Sequence, residues 1–277
     1  MPALPVNGIA LRYEEHGDPH APLVVLVQGT GARGDVWTLH QVPDLVEAGY
    51  RVVTYDNRGI SPVPGQTETS CPEIEVRALV DDLAALITHA GAPAHVVGTS
   101  LGARVVQELA LTYPELVRRA VAMGAHARVD EAGRLLTRGE QELFDRRIVL
   151  PTAYKAAVEA LLNLSPTTLR DGSRAAEWLA LMEYSAGPAT SGERGQLGAT
   201  ERLGDRRGAY RAISRPLLVI GFADDLIVPA YLGREVADAV PGARYVEVQD
   251  TGHFGYLERP EVVNRLIVDF LGAGGSG

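Results

Sequence analysis

Five residues, Gly98-Thr99-Ser100-Leu101-Gly102, carry the strongest chemical signal in this sequence. The pattern G-x-S-x-G follows a short apolar run, His95-Val96-Val97-Gly98, and precedes apolar residues at helical spacing, Leu101, Val105 and Leu109. Between a strand and a helix the pattern has a mechanism. A turn too sharp for side chains at its flanks holds the serine hydroxyl out at the carboxyl end of a sheet. The helix that starts there offers free backbone N–H groups and the positive end of its dipole, both suited to an oxyanion. Ser100 is therefore the candidate nucleophile. A chance Gly/Ser turn is the bland alternative, and the strand before and helix after weigh against it.

A hydroxyl nucleophile needs a base. Of seven histidines, only His253 lies in a loop, Gly252-His253-Phe254-Gly255, that follows the last strand run and opens at the same sheet edge as Ser100. His16 and His20 fall in a polar loop, and His40 and His89 on helical stretches. His95 begins a strand, and His126 follows one, from where it could approach the pocket. A third group should orient the imidazole and stabilise its cation. The segment Gly221-Phe222-Ala223-Asp224-Asp225-Leu226-Ile227-Val228-Pro229 supplies two adjacent carboxylates, and the residues alone leave Asp224 and Asp225 in competition.

These groups need a frame to bring them together. Leu23–Val27 is a continuous apolar run, the signature of a strand buried on both faces. Similar runs occur at 51–55, 95–98, 120–123 and 217–220, and 245–248 alternates like a strand nearer an edge. Helical stripes lie between them, at Val76 to Ala90 ended by Gly91, at Leu101 to Val117 broken by Pro114, and from Pro260 to Leu271. Alternation of this kind implies an α/β fold with a mostly parallel sheet covered by helices on both faces. Val6 to His16 reads as an antiparallel hairpin on the sheet edge. Residues 127–212 show no strand and read as several helices, with turn signals at Gly133, Pro151, Ser165-Pro166, Gly172 and Gly187-Pro188. The expected organisation is a core domain of residues 1–126 and 213–272, a helical cap or lid insert of residues 127–212, and a disordered tail of residues 273–277.

Composition narrows the class. The 277 residues carry a net charge of −9, which argues against a general affinity for nucleic acid or anionic membrane. The insert holds 13 basic and 12 acidic residues, so it is nearly neutral and the acidic balance lies in the core. One cysteine, Cys71, leaves no internal disulfide and no thiolate pair for a zinc site, and nothing near it would activate the thiol. No apolar run reaches the 18 or so residues of a membrane span, and no signal peptide opens the chain, so a cytoplasmic location is expected. No P-loop and no G-x-G-x-x-G after a strand is present, so no nucleotide cofactor is expected, and no metal. Asp81-Asp82 on a helix reads as a solvated pair, and Trp37 as packing.

On these residues the chain resembles the α/β-hydrolase superfamily, as a serine hydrolase with a helical cap, and the likeness covers nearly the whole chain. The order Ser, Asp, His is the order of that family's triad. Its acid loop often reads G-x-x-x-D-x-x-x-P, which selects Asp225, four residues before Pro229. The resemblance implies an oxyanion hole formed by the backbone N–H groups of Thr30 and Leu101. The family's first oxyanion loop usually begins His-Gly; here Gln28 stands before Gly29, so the shape of that loop departs from the pattern. Tyr55-Asp56-Asn57-Arg58-Gly59 resembles the family's D-x-R-G turn, whose role is structural. A serine at the elbow sets aside the branches with aspartate (haloalkane dehalogenases, epoxide hydrolases) or cysteine (dienelactone hydrolases). The remaining similarity is to small bacterial esterases, enol-lactone hydrolases and cofactor-free haloperoxidase-like enzymes. The implied reaction is cleavage of a carboxylic ester, thioester or lactone of a small-molecule acyl substrate through an acyl-enzyme. The alternatives are another use of the triad (acyl transfer, perhydrolysis, elimination or a lyase step, as in natural-product biosynthesis) or a ligand receptor on the same frame. Trp178 and Met182 in the insert, with Leu181 on the same stripe, and Phe254 beside His253 are candidate substrate contacts; packing between cap helices is the competing role for the insert residues.

Overall fold

The computed structural model describes residues 2–60, 73–187 and 189–273. Cys71, Pro188 and tail residues 274–277 lie outside the described residues. The strands are β1 Ala3–Val6, β2 Ile9–His16, β3 Leu23–Val27, β4 Arg51–Tyr55, β5 Ala94–Thr99, β6 Val117–Met123, β7 Leu217–Phe222 and β8 Arg244–Val248. They form one sheet in the order β1-β2-β4-β3-β5-β6-β7-β8. The first two pairings, β1 with β2 and β2 with β4, are antiparallel; all others are parallel. The chain is thus an α/β-hydrolase-type frame with an antiparallel hairpin at one edge. That hairpin begins three residues earlier than the sequence suggests.

The continuous apolar runs have a direct explanation. Side chains alternate across a strand, so a strand covered on both faces needs apolar residues at every position. Val25, Val27, Val53, Val96 and Val219 join one core, packed against the helices α2 Val76–Ala90 and α3 Leu101–Thr112. Val24, Leu26, Val52, Val97 and Ile220 join the other, which α1 Gln41–Glu47 and the C-terminal helix Pro260–Gly272 cover. Val117 belongs to β6 rather than to the helical stripe assigned from spacing. Pro114 disfavours helical geometry at Tyr113, so α3 has ended before Val117, and its spacing from Leu109 is coincidental.

Between β6 and β7 the described residues form helices and no strand: α4 Glu131–Asp145, α5 Thr152–Asn163, α6 Pro166–Arg170, α7 Gly172–Ser185, α8 Ser191–Gln196, α9 Ala199–Leu203 and α10 Arg207–Tyr210. The core then resumes with α11 Ala230–Ala239, α12 Gly255–Glu258 and α13 Pro260–Gly272. Gly133, read as a turn signal, lies in the first turn of α4, because the Asp130 carboxylate accepts its N–H at 2.8 Å and caps the helix. Both ends of this insert meet. The Arg206 N–H donates to the Ala127 carbonyl at 2.8 Å. Arg104, on α3 and fully buried, donates to the carbonyls of His126 at 2.7 Å and Gly204 at 2.6 Å.

Asp81-Asp82 is not a solvated pair. Adjacent residues on a helix point about 100° apart, so one can lie at the edge of the buried stripe while the other faces water. Asp82 is buried, and its carboxylate takes both Arg58 contacts, Nε at 2.6 Å and Nη2 at 2.7 Å. Asp81 pairs with Arg77 and Tyr113 at the surface. The Asp82–Arg58 pair fastens the Tyr55–Gly59 turn to α2, and Asp56 of the same turn accepts the Gly34 N–H at 2.8 Å.

Candidate active site

Ser100 sits between the end of β5 and the start of α3 with φ 55° and ψ −117°. A non-glycine residue in this region is strained, and strain of this kind persists only where the surroundings hold it. Here its N–H donates to the Met123 carbonyl at the end of β6 (3.0 Å), and its carbonyl accepts the Arg104 N–H (3.2 Å). The two motif glycines are sterically required. A Cβ at Gly98 would stand 2.3 Å from the Gly102 carbonyl oxygen, and one at Gly102 would stand 2.0 Å from that of Val27. Leu101 is the first residue of α3, so its N–H has no intrahelical acceptor. Thr30, in the loop after β3, lines the same cavity as Ser100 and Leu101. Gln28 is fully buried and does not line that cavity, and its carbonyl accepts from Asn57 Nδ2 at 3.4 Å.

The competition between the two aspartates is decided by geometry. Asp225 Oδ2 lies 2.7 Å from His253 Nδ1. Its other oxygen accepts the N–H groups of Ile227 at 2.9 Å and Val228 at 2.8 Å, so a buried carboxylate is satisfied on both sides. A carboxylate only accepts, so Nδ1 carries the proton and Nε2 is left with its lone pair free for a hydroxyl. Asp224 works through its backbone instead: its N–H donates to the Thr251 carbonyl at 2.9 Å and holds the loop before His253. Its carboxyl is pushed up from its ordinary value by burial, then by the charges of Asp250 and Glu258.

Ser100 and His253 share one cavity of about 1950 Å³, roofed by the insert and lined by more apolar than polar surface. Trp178, Met182 and Phe254 all line it. They also pack together: Trp178 stacks on Phe254 with centroids 6.3 Å apart, and Met182 is buried against Ala156, Ala160 and Leu164. Trp178 and Met182 therefore both line the cavity and pack between helices. His126 reaches the cavity wall. Burial, with Arg104 and His253 nearby, pushes its imidazole down to about 3, so it is neutral at ordinary pH. Trp37 is fully buried against Tyr256, 4.9 Å between centroids, a packing role.

Three residues had no signal in the sequence. Glu140 lines the cavity from α4. Glu193, from α8, reaches across to the loop after β3, where a Cβ at Gly31 would lie 3.1 Å from its Cδ. Glu258 is a buried carboxylate five residues after His253. Only the folding of the insert over the loops brings the first two to the site, and neither motif nor period marks them. Among the described residues no group of three or more His, Cys, Asp or Glu side chains is placed to hold a metal ion, and no helix is long and apolar enough to cross a membrane.

The fold recurs in known proteins. The family model described as "alpha/beta hydrolase fold" matches residues 22–260. The chain is 44% identical over 266 residues to the provisionally named non-heme bromoperoxidase BpoC of Mycobacterium tuberculosis, covering 95% of this chain and 98% of that protein. The crystal structure of BpoC superposes with a TM-score of 0.89, at 43% identity over 96% of each chain. The enol-lactonase of Burkholderia xenovorans LB400 superposes with a TM-score of 0.84, at 27% identity over 98% of this chain and 99% of that one. The provisionally named carbamate hydrolase RutD of Agrobacterium fabrum is 26% identical over 94% of this chain and 98% of its own length. A serine elbow on an eight-stranded, mostly parallel sheet, matched along nearly its whole length, makes this chain an enzyme of the α/β-hydrolase superfamily.

Proposed function

We propose that this enzyme is a serine hydrolase that cleaves a carboxylic ester, thioester or lactone. The observation that carries the reading is the convergence of Ser100, held at a strained elbow, with a His253 whose Nδ1 is fixed at 2.7 Å by Asp225 in the same cavity. Ser100 Oγ attacks the acyl carbonyl while His253 Nε2 takes its proton. Asp225 stabilises the resulting imidazolium. The N–H groups of Thr30 and Leu101 hold the tetrahedral oxyanion, a contribution of about 3–4 kcal/mol per donor where such donors have been removed. His253 returns the proton to the leaving group, and water then releases the acid from Ser100. The helices of residues 127–212 act as a lid, and the apolar lining favours a bulky, uncharged acyl group. Labelling of Ser100 by a fluorophosphonate probe, with turnover of p-nitrophenyl butyrate, tests the reading. A Ser100→Ala protein that keeps more than a few per cent of that turnover overturns it.

The likeness to a protein named as a bromoperoxidase favours perhydrolysis as a second reading. Hydrogen peroxide then takes the place of water, and its oxygen attacks the acyl-Ser100 carbonyl. The products are a peracid and the free serine, with the proton passing through His253. Bromination of monochlorodimedone that requires both peroxide and a carboxylic acid, and that fails in Ser100→Ala, would select it.

A further inference from the structure

We infer that Glu258 is a positioning residue that seats the His253 loop on the helical insert; this rests on the reading of His253 as the base of a Ser100 hydrolase. Glu258 closes α12 and is 3% exposed. Its Oε2 accepts the N–H of Gly252, the residue before His253, at 2.6 Å. Its Oε1 accepts the N–H of Ser165, between α5 and α6 of the insert, at 2.9 Å. One side chain therefore holds both the catalytic loop and the insert.

Neighbouring bonds act in the same direction. The residue after His253, Phe254, donates its N–H to the Asn163 carbonyl at the end of α5, at 3.0 Å. Arg174 of α7 donates to the Glu258 carbonyl at 2.8 Å. The two backbones touch: a Cβ at Gly252 would stand 2.5 Å from the Asn163 oxygen. The His253 ring is oriented by Asp225, from the core. Its backbone is bracketed by bonds that run to the insert, or to the carboxylate that the insert shares. Ser100 is placed independently, by β5 and α3. The distance between nucleophile and base is thus set partly by how the insert is seated, and a misplacement near 1 Å at such a site is enough to cost about 100-fold in rate.

The chemistry requires a carboxylate. Both partners are N–H donors, and an amide of the same size turns its own NH₂ toward one of them. Ser165 has φ −68°, which already suits proline, so Ser165→Pro removes the N–H that reaches Oε1 and leaves Glu258 in place. It also removes the hydroxyl that caps Thr168, for which Ser165→Ala is the control.

The experiment measures kcat and KM on p-nitrophenyl butyrate, thermal melting, and the rate of fluorophosphonate labelling for wild type, E258Q, S165P and S165A. E258Q is expected to melt cooperatively, with kcat and labelling rate lower by about 10- to 100-fold and KM within about twofold. S165P should follow in the same direction and S165A should stay near wild type. Wild-type kcat in E258Q together with a lowered melting temperature makes Glu258 a fold staple only and overturns the inference. Equal kcat in S165P and S165A overturns it as well, and this pair decides the matter should E258Q fail to fold. Wild-type enzyme that is not labelled at all overturns the hydrolase reading and this inference with it; a labelled wild type beside an unimpaired E258Q overturns this inference alone.

Discussion

Helices α2 and α4 have the same length, 15 residues, and each carries an apolar stripe along one face. In α2 that stripe meets the sheet: Leu79, Val80, Leu83, Leu86 and Ile87 are all buried. In α4 no residue is buried, and Leu135, Leu136, Leu143 and Phe144 line the cavity shared by Ser100 and His253 instead. The same pattern serves two ends. Against a sheet it supplies folding free energy; over a cavity it supplies apolar surface for a ligand. Periodicity reveals that a face is apolar and leaves open what covers it.

The sharpest way to break this contrast is at the elbow, where the core has no slack. Gly102→Ala places a Cβ 2.0 Å from the Val27 oxygen, on backbone that cannot move without disturbing β3. Loss of soluble, cooperatively melting protein is expected, and a well-folded G102A with normal ester turnover would refute the account of the turn. Asp225→Asn comes next. It keeps the shape of the acid but presents the wrong hydrogen-bond pattern to Nδ1, a change worth on the order of 10⁴-fold in kcat in a comparable triad. Asp224→Asn, measured beside it on the same activated ester, should stay within about tenfold, since the Asp224 bond to Thr251 is made by the backbone.

Paired truncations address the two helices directly. Leu83→Ala in α2 should cost about 2–5 kcal/mol of stability, read by denaturant melts. Leu136→Ala in α4 should leave the melt nearly unchanged and shift the ratio of rates between long and short acyl esters by roughly tenfold. Equal destabilisation by both would mean that α4 packs like a core helix. Trp178→Ala is expected to do some of each, because its ring both lines the cavity and stacks on Phe254.

The smallest expected effect is a pH slope. His95 lies at the start of β5, and burial, with Arg118 and Arg119 nearby, pushes its imidazole down to about 4. The unfolded chain takes up that proton near the ordinary value of about 6.5. Between those values the unfolded state binds more protons than the folded one, so stability is full above about pH 6.5 and falls as pH falls toward 4. His95→Phe removes one such group, and its melting temperature should drop less steeply over that window. An unchanged slope would assign the acid sensitivity to His126, whose imidazole burial also pushes down.

The frame was legible in the sequence because buried parallel strands leave a continuous apolar trace, and the elbow because steric crowding demands glycine on both sides of Ser100. His253 could be found from its place after the last strand run. Asp225 could not be separated from Asp224 by residue type, since adjacent carboxylates differ only in where the turn points them. Asp82 was misread for a related reason: neighbouring residues on a helix diverge by about 100°, and one of two identical charges can turn inward to Arg58. Glu140, Glu193 and Glu258 left no trace, because their environments are made by the packing of the insert over the loops.

The bond from Arg206 to Ala127, and the grip of Arg104 on the carbonyls of His126 and Gly204, have a consequence for how such enzymes diversify. The chain leaves the sheet and returns to it through a closed gate, fastened from beneath by a side chain on the helix that begins just after Ser100. Whatever is threaded between the two gateposts is invisible to the strand register. Helices of other lengths and shapes can therefore be spliced at this junction by design while the Ser100 elbow keeps its setting, provided that the contacts of Asn163 and Ser165 with the His253 loop are kept.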